Sequence, residues 1–345
     1  MTPPEGEILA LTGLRAVAAV WVFGFHLHIR APIVDGPLAA IFQAGAAGMT
    51  VFFVLSGFVL TLACRVGPDL HRFARARMAR IYPLYALAAV MALPWLLSSD
   101  QSPLAIGTTV LISGLMLQAW FPNLFNIWNH ASSWSLSVEA ALYAVFPAVR
   151  HVLHPLPEQT LIWVILTTMI LSGMLAGTYY IFPNGPGFAF QYATPIFRLP
   201  EFMAGVAFGH LALRGVQVPG WLPMLGVLAF ATLMIGVEGQ GLPTMWAPLL
   251  IPVVGMAVLH LTHTPNGLLS ARPVVWFGRI SYAFYLFQFH VILGLPRLVD
   301  LSAPSYWLVT IVLTLIIATA AHYLVERPAR LWLLRTRPLP RGRPA

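Results

Sequence analysis

Arg15 and His26 stand eleven residues apart inside the first apolar stretch of the chain, Leu9 to Leu27. A helix of that length crosses a hydrocarbon core of about 30 Å at 1.5 Å per residue. Placing an arginine in such a helix costs a few kcal/mol on insertion scales, so the position calls for a polar cavity, an anion or a partner. Eleven steps of about 100° bring His26 back to within roughly 20° of Arg15 around the helix, and about 16 Å further along its axis. The two therefore line one stripe, with a cation near one membrane surface and a titratable base toward the other. Taken singly, an arginine that snorkels to an interface and a histidine at a helix end account for each residue. Their shared face is what makes the pair informative.

The composition says what kind of protein must position them. Mean hydropathy is +0.79. Hydrophobic residues make up 59% of the chain and charged residues 9%, against roughly 25% charged in soluble domains. Long apolar runs recur from end to end, so the chain reads as a polytopic membrane protein embedded in a lipid bilayer. The net charge of +8 comes from nineteen arginines without a single lysine. In this setting that excess reads as topology information, and nucleic acid is not an expected partner. The one cysteine, Cys64, excludes an internal disulfide and any multi-cysteine metal site, and no metal is expected. The first apolar run is too long for a cleavable signal, carries Arg15, and lacks a small-x-small site after it.

The expected fold is all-α: a membrane helix bundle of about ten transmembrane helices with one re-entrant segment. A second apolar run reaches Cys64 through GMTVFFVLSGFVLTLA, where glycines permit close helix approach. Arg65 to Arg80, with Arg72, Arg75 and Arg77 between, reads as a basic cytoplasmic loop, and the third span is expected from about Ile81 to Leu97. Leu104 to Trp120 is apolar but broken by Gly107, Ser113 and Gly114. Arginine counting decides its course. A full crossing puts Arg150, Arg214, Arg272 and all six arginines from Arg327 to Arg343 outside, whereas a re-entrant segment keeps all nine inside. The re-entrant course is therefore predicted. The remaining spans fall at about Trp134 to Val149, Leu161 to Phe182, Ile196 to Leu213, Trp221 to Val237, Pro243 to Leu261, Val274 to Leu295 and Tyr306 to Val325, with both termini cytoplasmic. One integral-membrane domain, residues 1–335, is expected, followed by a short disordered cytoplasmic tail, 336–345, attracted to anionic lipid.

With this topology the intramembrane polar groups sort by depth. Arg15, the Arg75, Arg77 and Arg80 group and Arg279 fall toward the cytoplasm. His26, Glu139 in the SWSLSVE run, Arg198, Glu201, Gln288 and His290 fall toward the outside. Arg198 and Glu201, three residues apart on one face, read as an intrahelical ion pair. Gln288, His290 and His322 read singly as interhelical hydrogen-bonding residues. Together, a cationic inner mouth and a titratable outer cluster joined through Arg15 and His26 favour a path across the membrane. A transporter or flippase would share that feature, but no pair of interrupted helices recurs in the two halves of the chain.

Seven blocks carry a family resemblance: LTGLRAVAAVWVFGFH, VFFVLSGFVL, FARARMARIYPLY, SWSLSVEAALYAVFP, RLPEFMAGVAFG, GRISYAFYLFQFH and VERPAR. In that order they resemble the acyltransferase-3 family of integral-membrane O-acyltransferases, bacterial plasma-membrane proteins that modify surface polysaccharides, peptidoglycan and some small glycosylated products. The resemblance covers nearly the whole chain. It implies His26 as the essential catalytic histidine, Arg15 as its partner on the first helix, Arg77 and Arg80 as the paired arginines of the following loop, and Glu139 as the acid of the SVE block. It implies acyl-CoA, most often acetyl-CoA, as co-substrate from the cytoplasm, no permanently bound cofactor, and a carbohydrate or glycosylated acceptor. One departure is visible. The family commonly has His followed two residues later by Pro where Gln288 and His290 stand, so no role is carried over to either.

The chemistry fits that layout. Acyl transfer to an alcohol needs a base for the hydroxyl proton, and an imidazole suits the task near neutral pH. A thioester is already activated, so the chief needs are positioning and neutralisation of the CoA phosphates, which Arg77 and Arg80 are suited to bind, with Arg15 continuing the path. Glu139 either orients His26 or binds acceptor hydroxyls. Direct attack and a transient acyl-histidine both satisfy these residues.

Overall fold

In a computed structural model the described residues are 7–64, 69–125, 133–182, 185, 187–264 and 266–334. Arg65 and the expected tail, 336–345, lie outside them. Among the described residues every regular element is helical. The first helix, α1 (Leu9–His28), is followed by α2 (Gly36–Gln43) and α3 (Gly48–Ala63), which are joined by a 3₁₀ turn of four small residues, Ala44–Ala47. Next come α4 (Leu70–Leu97), α5 (Pro103–Gly114), α6 (Trp134–Leu153) and α7 (Glu158–Ile181). A short α8 (Gly187–Ala193) leads into α9 (Pro195–Leu213), then α10 (Trp221–Gly236), α11 (Ala247–His263) and α12 (Arg272–Gly294). The last crossing is α13 (Ala303–Ala321), a π turn at His322–Glu326, and α14 (Arg327–Leu334).

Among the described residues, eight stretches are long and apolar enough to cross a membrane. The two further expected spans fall on helices outside that set: α10, apolar but only 16 residues long, and α12, 23 residues long and carrying Arg272, Arg279, Gln288 and His290. The chain is thus an all-α polytopic bundle. Helix α5, with 12 residues, is about 18 Å long and too short to cross a 30 Å core by itself. Its C-terminal end stops against α4, where the Tyr85 and Tyr82 hydroxyls donate to the Ser113 and Gly114 carbonyls at 2.5 and 3.2 Å. Helix α6 begins at the same level, because Ser137 Oγ donates to the Met116 carbonyl at 2.6 Å and Gln118 Nε2 donates to the Ser133 carbonyl at 3.0 Å. The two helices meet inside the bundle, and α5 adds no separate crossing.

The expected basic loop before the third span is corrected by α4. Arg72, Arg75, Arg77 and Arg80 lie on a helix that starts at Leu70 and runs without a break into the span. Asp69 caps it, accepting the Arg72 backbone N–H at 3.0 Å. That hydrogen bond holds the Asp69 carboxyl below the usual carboxylate range.

Glycine decides which helices touch. Helices α3 and α9 run parallel in direct backbone contact: a Cβ on Gly57 would lie 2.2 Å from the Phe202 carbonyl, and one on Gly205 2.0 Å from that of Val54. Helices α1 and α12 also run parallel, with Gly278 against the Thr12 carbonyl, Phe23 against Phe284, and His26 beside Gln288. These are small-residue interfaces of the kind that bring helices together where lipid offers no hydrophobic drive. Gly205→Val should therefore overpack the α3–α9 seam, destabilise the protein by about 1–3 kcal/mol and lower its unfolding temperature in detergent. Gly107→Ala, where the added Cβ meets nothing within 4 Å, should leave that temperature unchanged or raise it.

Candidate active site

Helix α4 carries Arg77 and Arg80 one turn apart, so both guanidinium groups reach the same side. They enter a cavity between α1, α3, α4, α6 and α12 whose wall also includes Arg15 and Glu139. Arg77 lies over the rings of Phe73 and Tyr143, 5.7 and 5.8 Å from their centroids. Glu139 Oε1 accepts from Ser56 Oγ at 3.4 Å and from the Tyr143 hydroxyl. Three guanidinium groups thus face one carboxylate among the lining residues. A second carboxylate, buried Glu326, is close enough for its charge to act on Arg15 and Arg80. It is held by the π turn, where His322 Nδ1 and Glu326 Oε2 are 2.8 Å apart. The cavity retains a cationic excess that an anion would neutralise.

Arg75 does not join this group. Its Nε donates to the Leu333 carbonyl on α14 at 2.7 Å, so of the sequential arginines on α4 it is one that braces the helix against the C-terminal segment. The expected Arg198–Glu201 pair is formed at 2.9 Å, fully buried on α9, with Thr50 donating to the same carboxylate oxygen at 3.1 Å. The Arg198 guanidinium also lies 4.6 Å from the Tyr192 ring centroid.

His26 sits near the end of α1 remote from Arg15, packed against Phe289 with ring centroids 4.5 Å apart. Its Nδ1 is 3.1 Å from Gln288 Oε1, while Gln288 Nε2 donates to the Tyr285 carbonyl at 2.9 Å. The amide nitrogen is committed to that carbonyl, so Oε1 faces His26 as an acceptor. Nδ1 therefore carries the ring proton and Nε2 is left as the basic nitrogen. His28 turns away and stacks on Phe42. His290 Nε2 meets the Ala88 carbonyl at 3.1 Å.

The structure gathers Arg15, Arg77, Arg80 and Glu139 and leaves His26 in a separate place. Glu139 was expected at the depth of His26, and this is corrected: it stands at the level of Arg15. The cause is the α5–α6 junction. Because α6 begins inside the bundle, its sixth helical residue is already deep, and counting from an assumed interface misplaces it. The residues sequence reading gave no role here are Ser56, Tyr143, Tyr282, Tyr285 and Glu326. Two had a local signal, since Tyr143 is four residues after Glu139 and Glu326 four after His322, each on a shared helix face. Nitrogen NMR of protein labelled at histidine, with His26→Asn to identify the resonance, should find His26 protonated at Nδ1. Gln288→Leu should shift population to the Nε2–H form. An Nε2–H ring in the parent protein would contradict the assignment.

A family model described as an acyltransferase domain matches residues 8–323. Acyltransferase MdmB of Streptomyces mycarofaciens is 27% identical over 376 residues, covering 98% of this chain and 96% of its own. Exopolysaccharide production protein ExoZ of Rhizobium meliloti is 28% identical, over 83% of this chain and 90% of its own. The putative peptidoglycan O-acetyltransferase YrhL of Bacillus subtilis is 24% identical over 94% of this chain but only 55% of its own length, so the chain spans about half of that relative. No solved structure matches.

Proposed function

The chain belongs to the family of that acyltransferase domain, and from this premise we propose that it moves an acyl group, acetyl in the first instance, from acyl-CoA to a hydroxyl of a carbohydrate or glycosylated acceptor. The acceptor class is supported by the names of two relatives, one a putative peptidoglycan O-acetyltransferase and one an exopolysaccharide production protein. The donor class is supported by the cavity in which Arg15, Arg77 and Arg80 outnumber Glu139. An acyl-CoA brings phosphates at one end and a reactive thioester at the end of a long flexible arm, which suits a cationic mouth separated from a base.

In this reading the CoA phosphates lie at Arg77 and Arg80, each able to give paired hydrogen bonds to phosphate oxygens. The arm then passes Arg15 and follows the α1 stripe for about 16 Å to His26. His26 Nε2 takes the acceptor hydroxyl proton as the acceptor oxygen bonds to the thioester carbon. The carbon–sulfur bond breaks, and the departing CoA sulfur receives the proton from His26. Glu139 acts through its neighbours: tied to Tyr143 and Ser56, it keeps the guanidinium groups oriented and limits their mutual repulsion. The positive-inside rule puts the end bearing Arg77 in the cytoplasm of a bacterial cell, with both termini on that side.

Arg77→Ala and Arg80→Ala should each weaken acetyl-CoA binding by on the order of tenfold to a hundredfold, the worth of one charge-assisted hydrogen bond of about 1.5–3 kcal/mol. Arg75→Ala, whose guanidinium is engaged on α14, should bind as the parent does. Calorimetry on protein in nanodiscs checks this, and equal losses in all three variants would leave the arginines a structural role alone. His26→Ala should bind acetyl-CoA and transfer nothing. Substantial transfer by that variant would remove the base assignment.

A further inference from the structure

The cavity has a second polar feature, on the side away from Arg77. Ser135, in the first turn of α6, and Tyr285, on α12, both line the wall and are otherwise buried, with Ser135 Oγ and the Tyr285 hydroxyl 3.0 Å apart. Two hydroxyls carry two protons, and a hydrogen bond between them uses one. Among the described residues no acceptor takes the other. Tyr285 also precedes Gln288 by three residues, so it stands about 4.5 Å nearer the donor entrance along α12. Its carbonyl holds the Gln288 amide that orients His26. The buried guanidinium of Arg198 exerts its charge on the same hydroxyl.

We propose that the Ser135–Tyr285 hydroxyl pair is the hydrogen-bond donor to the thioester carbonyl oxygen during acyl transfer, an oxyanion site between the phosphate-binding arginines and His26. This rests on the acyl-CoA reading above. As the acceptor oxygen adds to the thioester carbon, the carbonyl π electrons move onto oxygen. The free proton of the pair is hydrogen-bonded to that oxygen but not transferred, and when the carbonyl re-forms the carbon–sulfur bond breaks. His26 alone exchanges a proton. A donor fixed in advance in a site walled by apolar side chains is effective, because it need not reorganise as charge develops. The start of α6 at Ser135 presents the positive end of its dipole to the same place.

The pair meets across two helices that sequence separates by 150 residues, and its position on the path is the argument for a role in the reaction. Thr168 and Thr262 donate to carbonyls of their own helices, three and four residues back, at 2.7 and 2.6 Å. Ser135 and Tyr285 instead meet each other at the cavity wall.

The test measures CoA thiol release from acetyl-CoA by protein in nanodiscs, with chito-oligosaccharides as acceptor and with water alone. Tyr285→Phe, which keeps the ring and its packing, should lower kcat by about a hundredfold, as loss of one oxyanion donor does. The KM for acetyl-CoA and the affinity for CoA should stay within about threefold, since the contact is made in the transition state. The unfolding temperature should not change. Ser135→Ala combined with Tyr285→Phe should be no worse than Tyr285→Phe alone, because the two act as a unit. Turnover by Tyr285→Phe within about twofold of the parent, or a loss of CoA affinity in step with kcat, would overturn the oxyanion assignment and leave the acyl-CoA reading intact. A parent protein that releases no thiol under either condition would overturn both.

Discussion

Three arginines crowded into one intramembrane cavity set the terms for everything around them. A guanidinium inside a helix bundle must find counter-charge, hydrogen bonds or aromatic faces, and two of these are present: Glu139 and Glu326 for charge, Phe73 and Tyr143 for the flank of Arg77. The compensation is incomplete, with three cations against one lining carboxylate and one nearby. The geometry that delivers even this much is specific. Helix α4 must extend well past its apolar part to carry Arg77 and Arg80, α6 must start inside the bundle to bring Glu139 down to them, and the last crossing needs a π turn to hold Glu326 against His322. Single-turn π segments of this kind are frequent at functional sites.

The second fixed relation is the pairing of α1 with α12. Gly278 brings α12 so close to α1 that a side chain there would meet the Thr12 carbonyl oxygen at 2.0 Å, and a side chain at Gly13 would meet the Leu269 carbonyl oxygen, just ahead of α12, at 1.9 Å. Those contacts hold the two helices in register. Arg15 then shares a level with Ser281 and Tyr282, and His26 shares one with Gln288. Tyr285 falls between the two levels. A single helix pair thus orders along one axis the groups proposed to bind, polarise and deprotonate, and substitutions in the glycine seam would disturb the spacing without touching any of them.

Much of this was legible in the sequence, for physical reasons that can be named. Apolar length and arginine distribution give the all-α bundle and its crossings, because the bilayer leaves few alternatives. The Arg15–His26 stripe follows from helical periodicity alone. The pairing of Arg77 with Arg80 survives even though their segment was expected as a loop. A run of arginines looks like solvent-exposed chain, but a helix capped by Asp69 continues through it. Depth was not legible where the chain leaves regular crossings. Glu139 was misplaced because nothing local to SWSLSVE says that its helix begins inside the protein; that depends on the Ser137 hydroxyl donating to Met116, 21 positions earlier, and the Ser133 carbonyl accepting from Gln118, 15 positions earlier. Gln288 was equally opaque. Its side-chain partner is His26, 262 residues away, and a glutamine in an apolar run gives no hint of which partner it will find.

The central claim is that donor and acceptor are taken from opposite ends of the bundle, with the acyl group passed along the α1–α12 axis between them. Sealed proteoliposomes holding the protein in one orientation test it directly. Acetyl-CoA labelled in the acetyl group is supplied only on the face bearing Arg77 and Arg80, and chito-oligosaccharides, too polar to cross the bilayer, are placed either inside or outside. The account predicts labelled product when the acceptor is on the face opposite the donor, and none when both share the arginine-bearing face. Acetylation only of acceptor on the donor's own face would contradict it.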